Sequence, residues 1–139
     1  MKMEKIIRSD EDWRKILSPE QYAVMREKGT ERPFTCELTE NKGLGTYHCA
    51  ACNLPLFKSN GKFESGTGWP SFYEPFSKEN LIFQGDSSFG MKRVEVNCAR
   101  CDSHLGHVFD DGPKPSGKRY CINGVALKFV VALPSLQKS

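Results

Sequence analysis

No run of apolar residues in this chain approaches the roughly 18 that a membrane-spanning helix needs. Neither sign of charge dominates, because 20 basic and 17 acidic side chains are mixed along the 139 residues. This balance does not indicate a surface that binds nucleic acid or membranes. The first residues, MKMEKIIRSDED, also lack a long hydrophobic segment followed by a small-residue cleavage site. We therefore expect a cytosolic protein with no nucleic-acid or membrane partner.

The chain is too short for a cofactor domain beside a substrate domain, and no linker or low-complexity segment divides it. We predict a single domain over residues 1–139, with its core at about 9–131 and a short mobile tail at 132–139. Nothing in the sequence indicates more than a monomer.

Two short N-terminal helices are predicted by their start and stop signals. Ser9 with Asp12 resembles a capping box, and Ser18 begins a stronger one, with Pro19 at the first helical position and Gly29 as the stop. From Phe34 onward, short apolar-polar alternations are separated by Gly, Pro, Asn and Asp. The sequence therefore predicts a mainly β domain with antiparallel strands.

Four of the six cysteines form two Cys-x-x-Cys pairs. In a secreted chain six cysteines would suggest disulfides, whereas in a reducing cytosol they favour metal binding or catalysis. Each pair follows strand-like sequence, and two such turns supply the four sulfurs of a tetrahedral zinc site. The alternative, a thioredoxin-type redox motif, would open a helix, and neither pair does. We predict one closed structural Zn²⁺ site per chain, with the ligands Cys49, Cys52, Cys98 and Cys101.

Cys121 lies within GKRYCINGVALKF, residues 117–129, which reads as a β-strand. A lone strand cysteine is usually a small core residue. Strand alternation, however, gives Cys121 the polar neighbours Arg119 and Asn123 on its own face, and the cationic Arg119 favours the reactive thiolate. The apolar face switches at Asn123–Gly124, which a β-bulge would explain. We interpret Cys121 as a nucleophile rather than as a core residue.

Three further side chains could belong to a site around this cysteine. His104 and His107 follow the second cysteine pair in HLGHVF, where they could be structural, surface-exposed, catalytic or ligands of a second zinc ion. Trp69 lies in SGTGWPSF, and its indole could fill the core or form the wall of a small apolar pocket.

These motifs together, in the order GWPSF, the paired Cys-x-x-Cys motifs, HLGHVFDDGP and RYCINGVALKF, resemble the methionine-R-sulfoxide reductases, the B-type family. The similarity extends from about Trp13 to Phe129. It implies a zinc-bound fold of two antiparallel β-sheets and the reduction of methionine R-sulfoxide, free or in proteins. It also implies repair of oxidised methionine, with regeneration by thioredoxin or a similar reductant.

The resemblance assigns residue roles as well. Its nucleophile matches Cys121, and Trp69 matches the ring that receives the substrate methyl group. The oxygen-binding set matches His104, His107 and Asn123. Attack by the Cys121 thiolate on the sulfoxide releases methionine and leaves a cysteine sulfenic acid, which a second thiol converts to a disulfide.

The sequence departs from a common family pattern at Thr67. Many members carry a resolving cysteine there, in SGCGWPSF, and threonine cannot replace it. Either thioredoxin, glutaredoxin or a small thiol attacks Cys121 directly, or Cys36 in RPFTCELTE is the resolving thiol. We favour Cys36, because it is the one cysteine left unassigned.

A different class of function stays open from the residues alone. Two zinc-binding turns on a β scaffold could form a module that binds a protein or nucleic acid and catalyses nothing. Such a module would need neither Cys121 nor the histidine pair, and no basic stripe with interleaved aromatics supports nucleic-acid binding.

Overall fold

The computed structural model of the chain describes residues 4–34, 36–39, 41–87 and 93–131. The tail predicted at 132–139 lies outside the described residues. Neither of the two helices in the described part has the length and apolar character needed to cross a bilayer.

Both predicted helices form, and local signals explain where they begin. Helix α1 spans Asp10–Ile16, and the Ser9 side chain accepts a hydrogen bond from the backbone N–H of Asp12. Helix α2 spans Pro19–Met25, where Ser18 and Gln21 make both hydrogen bonds of a capping box. The side chain of Trp13 is fully buried and attaches α1 to the core.

In the part of the chain that the structure describes, nine short strands make up two antiparallel sheets. Their bounds are β1 Gly45–Cys49, β2 Pro55–Lys58, β3 Lys62–Phe63, β4 Ser71–Phe72, β5 Leu81–Asp86, β6 Arg93–Cys98, β7 His104–Phe109, β8 Arg119–Ile122 and β9 Leu127–Val131. The first sheet has the order β2-β1-β9, and the second has the order β3-β4-β8-β7-β6-β5. The predicted fold class, mainly β with two antiparallel sheets and short N-terminal helices, is confirmed.

The prediction of one bulged strand over residues 117–129 is wrong. Strand β8 ends at Ile122 in the second sheet, and a 3₁₀ turn at Gly124–Ala126 leads into β9 of the first sheet. The apolar face switches at Asn123–Gly124 because the chain leaves one sheet and joins the other. Cys121 thus lies one residue before the end of a strand, next to the junction of the two sheets.

The core lies where aromatic rings from the two sheets meet. Phe57 of β2 stacks on Phe72 of β4 with ring centroids 4.3 Å apart, and Tyr47 of β1 contacts the same Phe72 ring edge-on at 5.1 Å. All three rings are fully buried. Burial of each such side chain contributes about 1.5–3 kcal/mol. This contact holds β4, and with it the neighbouring strand β8, against the first sheet.

Candidate active site

Cys121 opens into a pocket of about 260 Å³ at the β7–β8 face of the second sheet. The pocket combines apolar walls with cationic and hydrogen-bonding groups. Its lining residues are Thr30, Thr67, Trp69, Arg93, Gly106, His107, Phe109, Arg119, Cys121, Ile122 and Asn123. A cavity of this size and chemistry suits one small, partly apolar group.

Sheet register sets the neighbours of Cys121. It pairs with His107 of β7 on one side and with Ser71 of β4 on the other. Gly106 brings β7 close to β8, because a Cβ added there would lie 2.1 Å from the Cys121 carbonyl oxygen. The nucleophile predicted from sequence is therefore held by central strands rather than by a loop.

Burial dominates the titration of Cys121. It raises the pKa of this thiol, whereas a hydrogen bond to Thr67 and the positive charge of Arg119 act in the opposite direction. The Thr67 hydroxyl oxygen lies 4.0 Å from the Cys121 sulfur. The charge of Arg119 therefore acts in the direction that lowers the pKa of this thiol, but its effect is smaller than that of burial.

Two contacts fix the Arg119 guanidinium beside the pocket. It donates to both carboxylate oxygens of Asp111, at 2.8 and 3.1 Å, and it stacks over Phe109 at 4.4 Å from the ring centroid. Such a bidentate pair is geometrically specific. Arg119 is therefore a positive charge of defined position.

We expect Arg119→Gln to raise the pKa of Cys121 further, because the change removes a cation and leaves Asp111 unpaired. Alkylation of Cys121 by iodoacetamide near neutral pH should slow severalfold, because a smaller fraction of the thiol is ionised. In both proteins the rate should rise with pH, because the thiolate is the reactive form. Peptide-resolved mass spectrometry measures this rate separately from Cys36. Lys118→Gln is the matched control, and equal rates in the two variants would show that Arg119 does not act on the thiol.

The two histidines of β7 occupy different environments. His107 lines the pocket, and its Nε2 lies 2.8 Å from Asp86 Oδ2. His104 is buried, and its Nδ1 lies 2.7 Å from Glu95 Oε2. Burial lowers the pKa of His104, opposed by its contact with Glu95. Of these two histidines, only His107 is among the described residues that line the pocket.

Asn123 and Trp69 are both held by Glu31. The Asn123 side-chain oxygen accepts from the Glu31 backbone N–H at 2.9 Å, and its amide nitrogen donates to the Leu105 carbonyl at 2.9 Å. Trp69 Nε1 donates to the Glu31 carbonyl at 2.9 Å. Trp69 is thus a pocket wall rather than a core residue. Asn123 lines the same pocket, and its two hydrogen bonds fix the orientation of its amide.

Cys36 lies in a second pocket of about 720 Å³, beside Leu38, Val125 and Phe129. Its thiol and that of Cys121 are both free. Cys36 packs against the turn that begins at Gly124, because a Cβ on Gly124 would lie 2.3 Å from the Cys36 sulfur. The structure therefore brings Cys36 near this turn but not into the Cys121 pocket.

The four remaining cysteines converge as the sequence predicted. Their sulfurs all lie within 4.8 Å of one another. The Cys49 and Cys101 sulfurs are 3.7 Å apart, and those of Cys52 and Cys98 are 3.5 Å apart. Tetrahedral coordination with metal–sulfur bonds of about 2.3 Å requires sulfur separations of about 3.8 Å. The cluster therefore fits a structural metal ion, and it joins the end of β1 in one sheet to the end of β6 in the other.

Several site residues were not found from the sequence. These are Thr30, Glu31, Asp86, Arg93, Glu95, Phe109 and Asp111. Glu95 contacts a histidine on the adjacent strand, and Asp86 contacts one two strands away. Glu31, in the segment after α2, contacts Trp69 and Asn123, which line the pocket. No local spacing signals such contacts. Asp111 and Arg119 are eight residues apart across a turn, which offers at most a weak signal.

Comparison with known proteins gives similarity over nearly the whole chain. The SelR domain family matches residues 17–131. A Methanosarcina mazei protein named "Peptide methionine sulfoxide reductase MsrB" is 59% identical over 129 residues, covering 93% of this chain and 92% of that protein. Proteins of the same name from Pseudomonas putida and Leptospira interrogans are 60% and 57% identical, covering 91% and 88% of this chain and 96% and 93% of their own lengths. The matched segment includes every residue that lines the Cys121 pocket.

Proposed function

Since the chain belongs to the SelR-domain family of MsrB peptide methionine sulfoxide reductases, we propose that it reduces methionine R-sulfoxide, free or in proteins, to methionine. The observation that carries this proposal is the Cys121 thiol in a small pocket beside Trp69 and His107. The chemistry needs a nucleophilic sulfur, an apolar seat for a methyl group and a proton donor for the oxygen.

In the first step the Cys121 sulfur, as a thiolate, attacks the sulfoxide sulfur. A sulfur–sulfur bond forms while the sulfoxide oxygen gains a proton. As this adduct collapses, the sulfur–sulfur bond and the substrate's sulfur–oxygen bond break, the hydroxyl oxygen bonds to the Cys121 sulfur, and methionine leaves. The substrate sulfur is reduced by two electrons, and Cys121 is oxidised by two electrons to a sulfenic acid.

We assign the proton donation to His107, because it lines the pocket and is the cross-strand partner of Cys121. Nε2 of this ring contacts Asp86, so Nδ1 is the nitrogen left to face the substrate oxygen. Asn123 helps to fix the oxygen, and Trp69 receives the methyl group. His104 is buried against Glu95, so we assign it a structural role next to the site and no contact with the substrate.

Regeneration requires a second thiol. We propose that Cys36 attacks the sulfenic acid of Cys121, giving a disulfide and water, and that thioredoxin or a similar dithiol then reduces this disulfide. Because the two sulfurs line different pockets, the segment around residues 36–39 has to move toward Cys121. Direct attack on Cys121 by thioredoxin, glutaredoxin or a small thiol is the alternative.

The cysteine cluster is proposed to hold one structural zinc ion that takes no part in the reaction. Four thiolate ligands close the coordination sphere, so the ion offers no position for substrate or water. The protein is proposed to work as a monomer in the cytoplasm, and its six free cysteines suit that reducing compartment.

The test of the regeneration step is peptide mapping after a single turnover without reductant. We expect a Cys36–Cys121 disulfide in the wild type and an accumulated Cys121 sulfenic acid in Cys36→Ser. With dithiothreitol Cys36→Ser should retain activity, whereas with thioredoxin it should lose most of it. Cys36 recovered as a free thiol after turnover by the wild type would contradict the resolving role and support direct attack on Cys121.

A further inference from the structure

Glu31 is a nearly buried carboxylate between the two thiol pockets. Its residue exposure is 9%, and its Oε1 accepts from the backbone N–H of Val125 at 2.9 Å. Its backbone holds Trp69 and Asn123. Glu31 therefore fixes the walls of the substrate pocket through its main chain and contacts the Gly124–Ala126 turn with its side chain.

The second carboxylate oxygen of Glu31 has no partner to explain its burial. Oε2 is buried without a hydrogen bond in the described structure. A buried unsatisfied carboxylate oxygen costs free energy and calls for a functional explanation. A Cβ added to Gly124 would lie 3.3 Å from this oxygen and 2.3 Å from the Cys36 sulfur. Glu31 Oε2 and the Cys36 thiol thus face the same side of Gly124.

The charge of Glu31 reaches both thiols. Burial is the largest cause of the raised pKa of Cys36, and the negative charges of Glu31 and Glu37 act in the same direction. Glu31 acts likewise on Cys121. A thiol of this kind is a weak nucleophile until a base removes its proton.

We propose that the Glu31 carboxylate accepts the proton of Cys36 when Cys36 attacks the sulfenic acid of Cys121. The inference rests on the resolving role of Cys36 proposed above. Glu31 Oε2 lies on the same side of Gly124 as the Cys36 thiol, and the Glu31 backbone contacts Asn123 and Trp69 of the Cys121 pocket, so the carboxylate is close to the thiol that moves and to the pocket that it enters.

The step balances without an external oxidant or reductant. Cys36 gives its proton to Glu31, and its sulfur forms a bond with the Cys121 sulfur. The sulfur–oxygen bond of the sulfenic acid breaks. The departing hydroxide recovers the proton and leaves as water, so Glu31 returns to its starting state. An electron pair of the Cys36 sulfur becomes the disulfide bond, the pair of the sulfur–oxygen bond leaves with the oxygen, and both sulfurs end at the oxidation level of a disulfide.

Glu31→Gln tests this role, because the amide keeps an acceptor oxygen for Val125 but cannot act as a base at neutral pH. In rapid-quench single turnovers we expect disulfide formation to slow about 100-fold relative to methionine formation, as loss of a general base implies. Trapping with dimedone should show the Cys121 sulfenic acid persisting. Glu37→Gln is the matched control, since it removes a charge one residue after Cys36, and it should change the ratio of the two rates less than about threefold.

Each outcome decides the proposal. An equal change in the ratio of the two rates in Glu31→Gln and Glu37→Gln would show a general electrostatic effect and would overturn it. Loss of methionine formation in Glu31→Gln would show that the side chain builds the pocket, which also overturns it. If Cys36→Ser leaves the sulfenic acid as short-lived as in the wild type, the resolving role itself has failed, and that failure is recognised independently of Glu31.

Discussion

Cys121→Ser is expected to reduce turnover of methionine R-sulfoxide by about 10³-fold or more, because the serine hydroxyl is a far weaker nucleophile than a thiolate. The substitution replaces one sulfur by oxygen at the end of β8, so the sheet register with His107 and Ser71 should be kept. Loss of activity would therefore report on chemistry and not on folding.

The control for this experiment is Cys36→Ser, measured in parallel with dithiothreitol. It makes the same atomic change in the other free thiol outside the cluster and should leave the first step intact. Equal zinc content and equal melting temperature of the two variants would establish that both are folded. Substantial activity of Cys121→Ser with dithiothreitol would contradict the assignment of the nucleophile.

Cys98→Ser is expected to produce the largest loss of stability. Structural zinc contributes about 10–16 kcal/mol in small zinc-binding peptides, as much as the whole stability of an ordinary domain. Loss of only about 4 kcal/mol would lower the melting temperature by more than about 10 °C in a domain of this size. We expect either that shift or the loss of the cooperative transition.

The effect should spread beyond the cluster because the cluster joins the two sheets and anchors the N-terminal region. The Arg26 side chain donates to the Cys101 carbonyl at 2.8 Å, and the Ile6 backbone N–H donates to the Arg100 carbonyl at 2.7 Å. Circular dichroism melts and metal analysis measure the outcome. One zinc per chain and an unchanged melting temperature in Cys98→Ser would contradict a structural metal site.

Local signals predicted the parts of the fold that depend on neighbours in sequence. The capping box at Ser18 specifies the start of α2 from four consecutive residues. The two Cys-x-x-Cys spacings specify a tetrahedral sulfur cluster without any knowledge of the sheets. Strand alternation placed Arg119 and Cys121 on one face, and both line the pocket.

The parts that failed or were missed depend on contacts between distant segments. Residues 117–129 read as one strand because nothing local marks a change of sheet, and only the pairing of β9 with β1 reveals it. The partner of His104 is Glu95 on the adjacent strand, while His107 reaches Asp86. The motif HLGHVF alone could not show which of its two histidine rings would face the pocket, because that depends on how strands β5, β6 and β7 pack.

The measurement that tests the central claim most directly is a single turnover of wild-type protein with the separate R and S epimers of a methionine sulfoxide peptide, without reductant. The account predicts one methionine per chain from the R epimer, none from the S epimer, and oxidation confined to Cys121 and its resolving partner. If folded, zinc-loaded protein consumes neither epimer, or consumes the R epimer while Cys121 stays reduced, then Cys121 is not the nucleophile of a methionine R-sulfoxide reductase.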